Sequence, residues 1–156
     1  MLELARSDGD PADRFRFDPG HFTASGFVAS PNGAGLLLLH HGKIGKWLQP
    51  GGHIEPDDQS IEGAARREIE EETELIALRS LGLIDIDVHQ FPAKGDDPAH
   101  LHFDIRYGFQ ARSGTISPGE GTLDVRWVPF GEVNRWNPEV SVTRPSKALQ
   151  ELVRKP

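Results

Sequence analysis

Between Ile61 and Leu75 a helical pattern carries glutamates on the side that its apolar residues mark as inward, and this limits what the chain can become. Wound at ~100° per residue, the segment puts Glu62, Gly63, Arg66, Arg67, Glu70, Thr73 and Glu74 on a solvated half. The other half holds Ile61, Ala64, Ala65, Glu68, Ile69, Glu71, Glu72 and Leu75. Its apolar members turn it toward a core. Glu68, Glu71 and Glu72 stand at i, i+3 and i+4, with Cβ atoms ~5–6 Å apart. Each ionised pair would repel by roughly 3 kcal/mol at an effective dielectric of ~20. Burial then requires either raised carboxyl pKa values or a cation among the carboxylates. Donors of this kind suit Mg²⁺ or Mn²⁺. Read alone, the run REIEEETE is equally a solvated charged face.

The preceding segment, LQPGGHIEPDD, narrows the choice. Gly51 and Gly52 let backbone approach a ligand closely, where a carbonyl can join a metal shell and a helix start can help hold anions. A Gly-Gly pair by itself is only a tight turn. Ser60 suits an N-cap, with Glu62 in the first turn.

Together the loop and helix, GGHIEPDDQSIEGAARREIEEETEL, resemble the Nudix box, G-x5-E-x7-R-E-U-x-E-E-x-G-U, where U is aliphatic. Arg67-Glu68-Ile69-Glu70-Glu71-Glu72 matches R-E-U-x-E-E residue for residue, and Leu75 takes the last aliphatic place. Asp58 stands for the first glutamate, one extra residue follows it before Arg67, and Glu74 replaces the glycine. The resemblance implies an α/β fold, the αβα sandwich with a mixed sheet. It also implies metal-dependent cleavage of a phosphoanhydride bond in a nucleoside diphosphate derivative. Glu71 and Glu72 would then be the main ligands of Mg²⁺ or Mn²⁺, assisted by the Gly51 carbonyl. Glu68 would be a further ligand or would orient the attacking water. Arg67, directed to the other side, would pair with Glu71 or Glu70 and steady the array. The extra carboxylate that such enzymes draw from outside the box would be Glu120, in SPGEGT, or else Asp124. Gly52 would lie against substrate.

The remaining sequence agrees with an α/β domain. Strands are predicted over residues 21–30, 36–40, 81–91, 101–111 and 123–128, with a hairpin turn at Pro31-Asn32-Gly33. Residues 47–54 lead into the glycine loop, and residues 1–20 read as a polar arm or a loose first strand. Pro145 fits the first turn of a final helix ending near Val153. A length of 156 residues suits one domain over the whole chain. No cysteine is present, which excludes disulfides and thiolate chemistry, and a net charge of −7 gives no footprint for nucleic acid. An acidic enzyme acting on phosphates would need a local cation. The longest apolar run, Leu36–Leu39, is too short for a membrane span. With no apolar leader after Met1, a cytoplasmic protein is expected, and homodimers are common among similar proteins.

A second group invites another chemistry. His100, His102 and Asp104 alternate along one predicted strand and would share a face, with His89 on the preceding strand. His102-Phe103-Asp104 resembles the His-x-Asp of non-haem iron oxygenases, but no histidine follows His102 to complete that set. His102 and Asp104 are therefore expected to line the substrate side of the sheet, or to form its wetter face. Phe103, Tyr107 and Trp127 can stack on a base or fill the core. Substrate choice would fall to the loops AKGDDPA and RSGTISPGEGT, and Pro92 sits near a proline of some ADP-ribose-cleaving members. The competing function is a non-catalytic nucleotide-binding module on the same fold.

Overall fold

The structure, a computed structural model, describes residues Met1–Lys155. A short helix α1 (Leu2–Arg6) precedes strands β1 (Gly20–Ala29), β2 (Gly35–His41), β3 (Trp47–Leu48) and β4 (Gly51–His53). Helix α2 (Ile61–Thr73) follows, then β5 (Leu78–Phe91), β6 (His100–Ala111) and β7 (Thr122–Pro129). A 3₁₀ turn leads into α3 (Val133–Trp136) and α4 (Val140–Arg154).

The strands form one mixed sheet in the order β3-β2-β1-β6-β5, with β7 on β2 and β4 on β1. β1 runs parallel to β6 and antiparallel to β2 and β4. Residue alternation along the central strands supplies two cores, one per face. Ala24, Val28, Leu37 and Phe109 pack with Ala64, Ala65 and Ile69 of α2. Phe27, Ala29, Leu36 and Leu38 pack with Val142 and Leu149 of α4. All ten residues of β1 are buried, because helices cover both faces of the sheet. This is the αβα sandwich that the resemblance implied. The β1–β2 turn forms where expected, with Gly33 at φ 70 and the Ser30 hydroxyl accepting from the Gly35 N–H.

Four sequence expectations are corrected. The glycine loop is itself strand, since Gly51–His53 pairs with Thr23–Ser25. Residues 1–20 begin with a helix, and its Leu4 packs with Phe22, Phe103 and Ile105. Thr73 is buried while Glu71 is exposed, so α2 is rotated from the expected orientation. The small side chains Ala64, Ala65 and Thr73 form its inward stripe beside Ile69 and let it approach the sheet, where a Cβ on Gly26 would run into Ile69. Finally, Pro145 lies inside α4 rather than at its first turn. A proline there leaves the carbonyl four residues earlier without its helical donor. That carbonyl, Ser141 O, accepts instead from the buried Arg106 guanidinium at 2.7 Å.

Candidate active site

Helix α2 starts at Ser60, whose hydroxyl accepts from the Gly63 N–H at 3.0 Å. It ends at Glu74 with φ 56, the left-handed conformation that glycine takes at no steric cost. The helix thus keeps a helix-ending geometry although a glutamate fills it.

The stripe of α2 beside its core face opens onto a cleft of about 370 Å³. Gly52, Arg67, Glu68, Glu71, Glu72 and Glu120 line it, together with His41, Lys43, His53, Glu55 and Gly121. The Gly51 N–H donates to Glu72 Oε2 at 3.0 Å, joining β4 to the helix. A Cβ on Gly52 would collide with the Glu68 carboxylate, and one on Gly51 would collide with Ser25 Oγ. The Gly51 backbone thus packs directly against β1, and that of Gly52 against the Glu68 carboxylate.

Burial pushes the Glu72 carboxyl up to about 8, with repulsion from Glu68 and Glu71 adding and the Gly51 N–H opposing. Burial also raises Glu68, while the hydrogen bond and charge of Arg67 hold it down. Glu71 is more open, its side chain 46% exposed. Among the described residues the α2 carboxylates do not converge as a three-donor cluster. Arg67 Nη1 bridges Glu68 and Glu71, while Glu72 is held separately by the Gly51 N–H.

Arg67 turns toward this cleft, not away from it. Its guanidinium meets Asp58 at 3.0 and 3.1 Å, Glu68 at 2.9 Å, Glu71 at 3.1 Å and the His53 carbonyl at 2.9 Å. Glu70 is not among these partners. Asp58 also accepts from the Glu55 N–H, which closes the loop. Burial would raise the Asp58 carboxyl, but the bonds from Arg67 and Glu55 outweigh it and lower its pKa. Asp58 therefore grips the arginine, consistent with a shorter acid and an extra residue in the loop.

Glu120 reaches the cleft on a strap. The N–H groups of Glu120, Gly119 and Ser117 donate to the carbonyls of Glu71, Glu72 and Thr73 at 2.9, 2.9 and 3.0 Å. These are C-terminal helix carbonyls, which lack partners within the helix. Asp124 is not brought there: it binds Arg126 at 2.9 Å on β7.

The chain's NUDIX domain match spans residues 19–151. The chain belongs to the Nudix family. A candidate 8-oxo-dGTP diphosphatase of Bacillus subtilis (strain 168) is 36% identical over 113 residues, 72% of this chain and 70% of that protein. A NUDIX-family hydrolase from Clostridium perfringens superposes with TM-score 0.66 at 25% identity, covering 85% of this chain and 97% of that one. The NUDIX domain of Shewanella oneidensis NrtR, crystallised with ADP ribose, gives TM-score 0.66 at 17% identity and covers 97% of each chain.

This Nudix chain splits the polar strip expected on β6. His102 and Asp104 are buried, and neither is among the residues lining the carboxylate cleft. Asp104 accepts from Ser25 at 2.9 Å and Thr23 at 3.2 Å and pairs with Arg106 at 2.7 Å. His89 also joins Arg106, at 2.7 Å. His102 instead meets His100, His21 and His53. A shared His-x-Asp site is thus excluded by geometry, because the two side chains engage different partners. Phe103 is core, Tyr107 is partly buried against it, and the Trp127 indole donates to the Gly114 carbonyl. Pro92 is exposed just beyond β5. No helix among the described residues is long and apolar enough to cross a membrane.

Sequence reasoning missed Lys43, His41, Glu55 and His53 in the cleft. Lys43 adds a second cation beside Arg67 in this cleft, and its signal was the polar turn HGKIGK after β2.

Proposed function

We propose that the chain is a divalent-metal-dependent pyrophosphohydrolase that cuts a phosphoanhydride bond in a nucleoside diphosphate linked to another moiety. The observation that carries this is one cleft lined by Glu68, Glu71, Glu72 and Glu120, with Arg67 and Lys43 beside them. Oxygen donors of this density, a neighbouring Gly51 backbone and a carboxyl with raised pKa at Glu72 suit Mg²⁺ or Mn²⁺. Glu68, Glu71 and Glu72 would hold the ion with the Gly51 carbonyl. When bound, it would neutralise the diphosphate and acidify a coordinated water.

The chain's own groups supply the rest. Glu72 would hold the ion as the carboxylate, without the proton that its burial favours. Arg67, gripped by Asp58, positions Glu68 and Glu71. Lys43 attracts the phosphates, and Glu120 takes the proton of the attacking water. Gly52 lets the phosphates approach the backbone. The substrate is a nucleotide, by analogy with the 8-oxo-dGTP and ADP ribose named for the two relatives.

The test is a screen of nucleoside triphosphates, ADP-ribose, nucleotide sugars and dinucleoside polyphosphates with Mg²⁺ or Mn²⁺. Two monophosphate products would mean internal pyrophosphate cleavage, whereas free pyrophosphate would mean a triphosphate substrate. Glu72→Gln should lower turnover by about 100-fold or more while leaving the circular dichroism spectrum intact. Absence of monophosphate products and of pyrophosphate from every compound would replace the enzyme with a binding module.

A further inference from the structure

Beside the carboxylate cleft, three histidines from three adjoining strands meet. His21 opens β1, His102 lies near the start of β6 and His53 ends β4. Their positions follow from pairing: His21 is opposite His102 in the parallel β1–β6 register, and Thr23 is opposite His53 in β1–β4. One ring nitrogen from each lies within 4.8 Å of the others. The ring centroids are 4.6 Å apart for His21–His102, 5.1 Å for His21–His53 and 5.2 Å for His53–His102. His100 adds a fourth imidazole, its Nε2 3.0 Å from His102 Nε2. Phe91 stacks on His102 with centroids 4.1 Å apart and covers that side.

Two features separate this group from an ordinary polar core. His21 is fully buried, and its Nε2 has no hydrogen-bond partner. A buried polar atom left unpaired is destabilising, so an apolar residue would fill the place better. The Nδ1 atoms of His21 and His100 lie 3.0 and 2.7 Å from the carbonyls of Arg16 and Pro98. A carbonyl accepts only, so each Nδ1 carries the proton and each Nε2 keeps its lone pair. Metal-binding histidines are oriented in this way by their outer-shell partners.

We propose that His21, His53 and His102 form a second metal site, selective for a borderline divalent cation such as Zn²⁺, with His100 in reach as a fourth ligand. Nitrogen donors without a carboxylate favour Zn²⁺, Co²⁺, Ni²⁺ or Cu²⁺ over Mg²⁺ and Mn²⁺. Tetrahedral Zn–N bonds of about 2.0–2.1 Å would draw the three nitrogens together by only small side-chain shifts. The ion would tie β4 to β1 and β6, and His53 shares the wall of the hydrolytic cleft.

The experiment is titration of the tag-free chain with Zn²⁺ by calorimetry, and with Co²⁺ by visible absorption, in excess Mg²⁺. Wild type and Glu72→Gln should both bind one Zn²⁺, with a tetrahedral Co²⁺ spectrum. A hundredfold excess of Zn²⁺ over its Kd should raise Tm by about 5–10 °C. His102→Gln and His53→Gln should weaken Zn²⁺ at least 100-fold. His53 is the least buried of the three, so His53→Gln keeps the test open if the His102 variant fails to fold. No Zn²⁺ uptake by wild type overturns the proposal. So does uptake that survives the folded histidine variants, or that is lost in Glu72→Gln.

Discussion

Glu72 concentrates the electrostatics of the cleft in one side chain. Its carboxyl is pushed up to about 8, above the ordinary glutamate range, by burial and by Glu68 and Glu71. Between those two pH values the folded chain holds a proton that an unfolded chain releases. The resulting stability is complete below the ordinary glutamate range and is lost as pH rises through about 8. In metal-free protein the Tm of wild type should therefore fall more steeply than that of Glu72→Gln from about pH 5 to about pH 9. Parallel profiles would mean that the carboxyl is not strained by its surroundings. The repulsion behind this effect was readable from the i, i+3, i+4 spacing, since neighbours on a helix are fixed by its pitch. The direction of Arg67 was not, because its partner Asp58 lies in a loop whose fold no period describes.

Among the elements, α2 and the strap at 117–120 act as a unit. The strap closes the open carbonyls at the end of the helix and delivers Glu120 to the cleft. Gly119 permits this contact, for a Cβ there would run into the Glu71 carbonyl. Gly119→Ala should push the strap off the helix and lower turnover by about 10- to 100-fold, as expected for loss of a group that orients the site. Turnover within about twofold of wild type would show that Glu120 is positioned by something else. The helix itself was legible through its Ser60 cap and its apolar stripe. Strand β4 was not, because two glycines carry no alternating pattern, and only pairing with Thr23–Ser25 makes them a strand.

Across the whole molecule, Arg106 ties the α4 face of the sandwich to its β5 edge. Fully buried, it meets Asp104 at 2.7 Å, Asp85 and Asp87 at 3.1 Å each, His89 at 2.7 Å and the Ser141 carbonyl at 2.7 Å. The network joins β5, β6 and α4, and through Ser25 and Thr23 it reaches β1. Arg106→Ala leaves Asp104 buried without its countercharge and should cost about 3–5 kcal/mol in chemical denaturation. A cost below about 1 kcal/mol would mean that Ser25 and Thr23 satisfy Asp104 alone.

Read as a string of residues, the chain already specified its Nudix helix and the β1–β2 hairpin. Each of these depends on a local period or a turn residue. Tertiary structure alone decided that Lys43 and Arg67 face the carboxylates, that Asp104 serves Arg106, and that His21, His53 and His102 meet. These contacts join segments far apart in the chain, and their register is selected by how the strands pair and the helices pack. No local pattern carries that information.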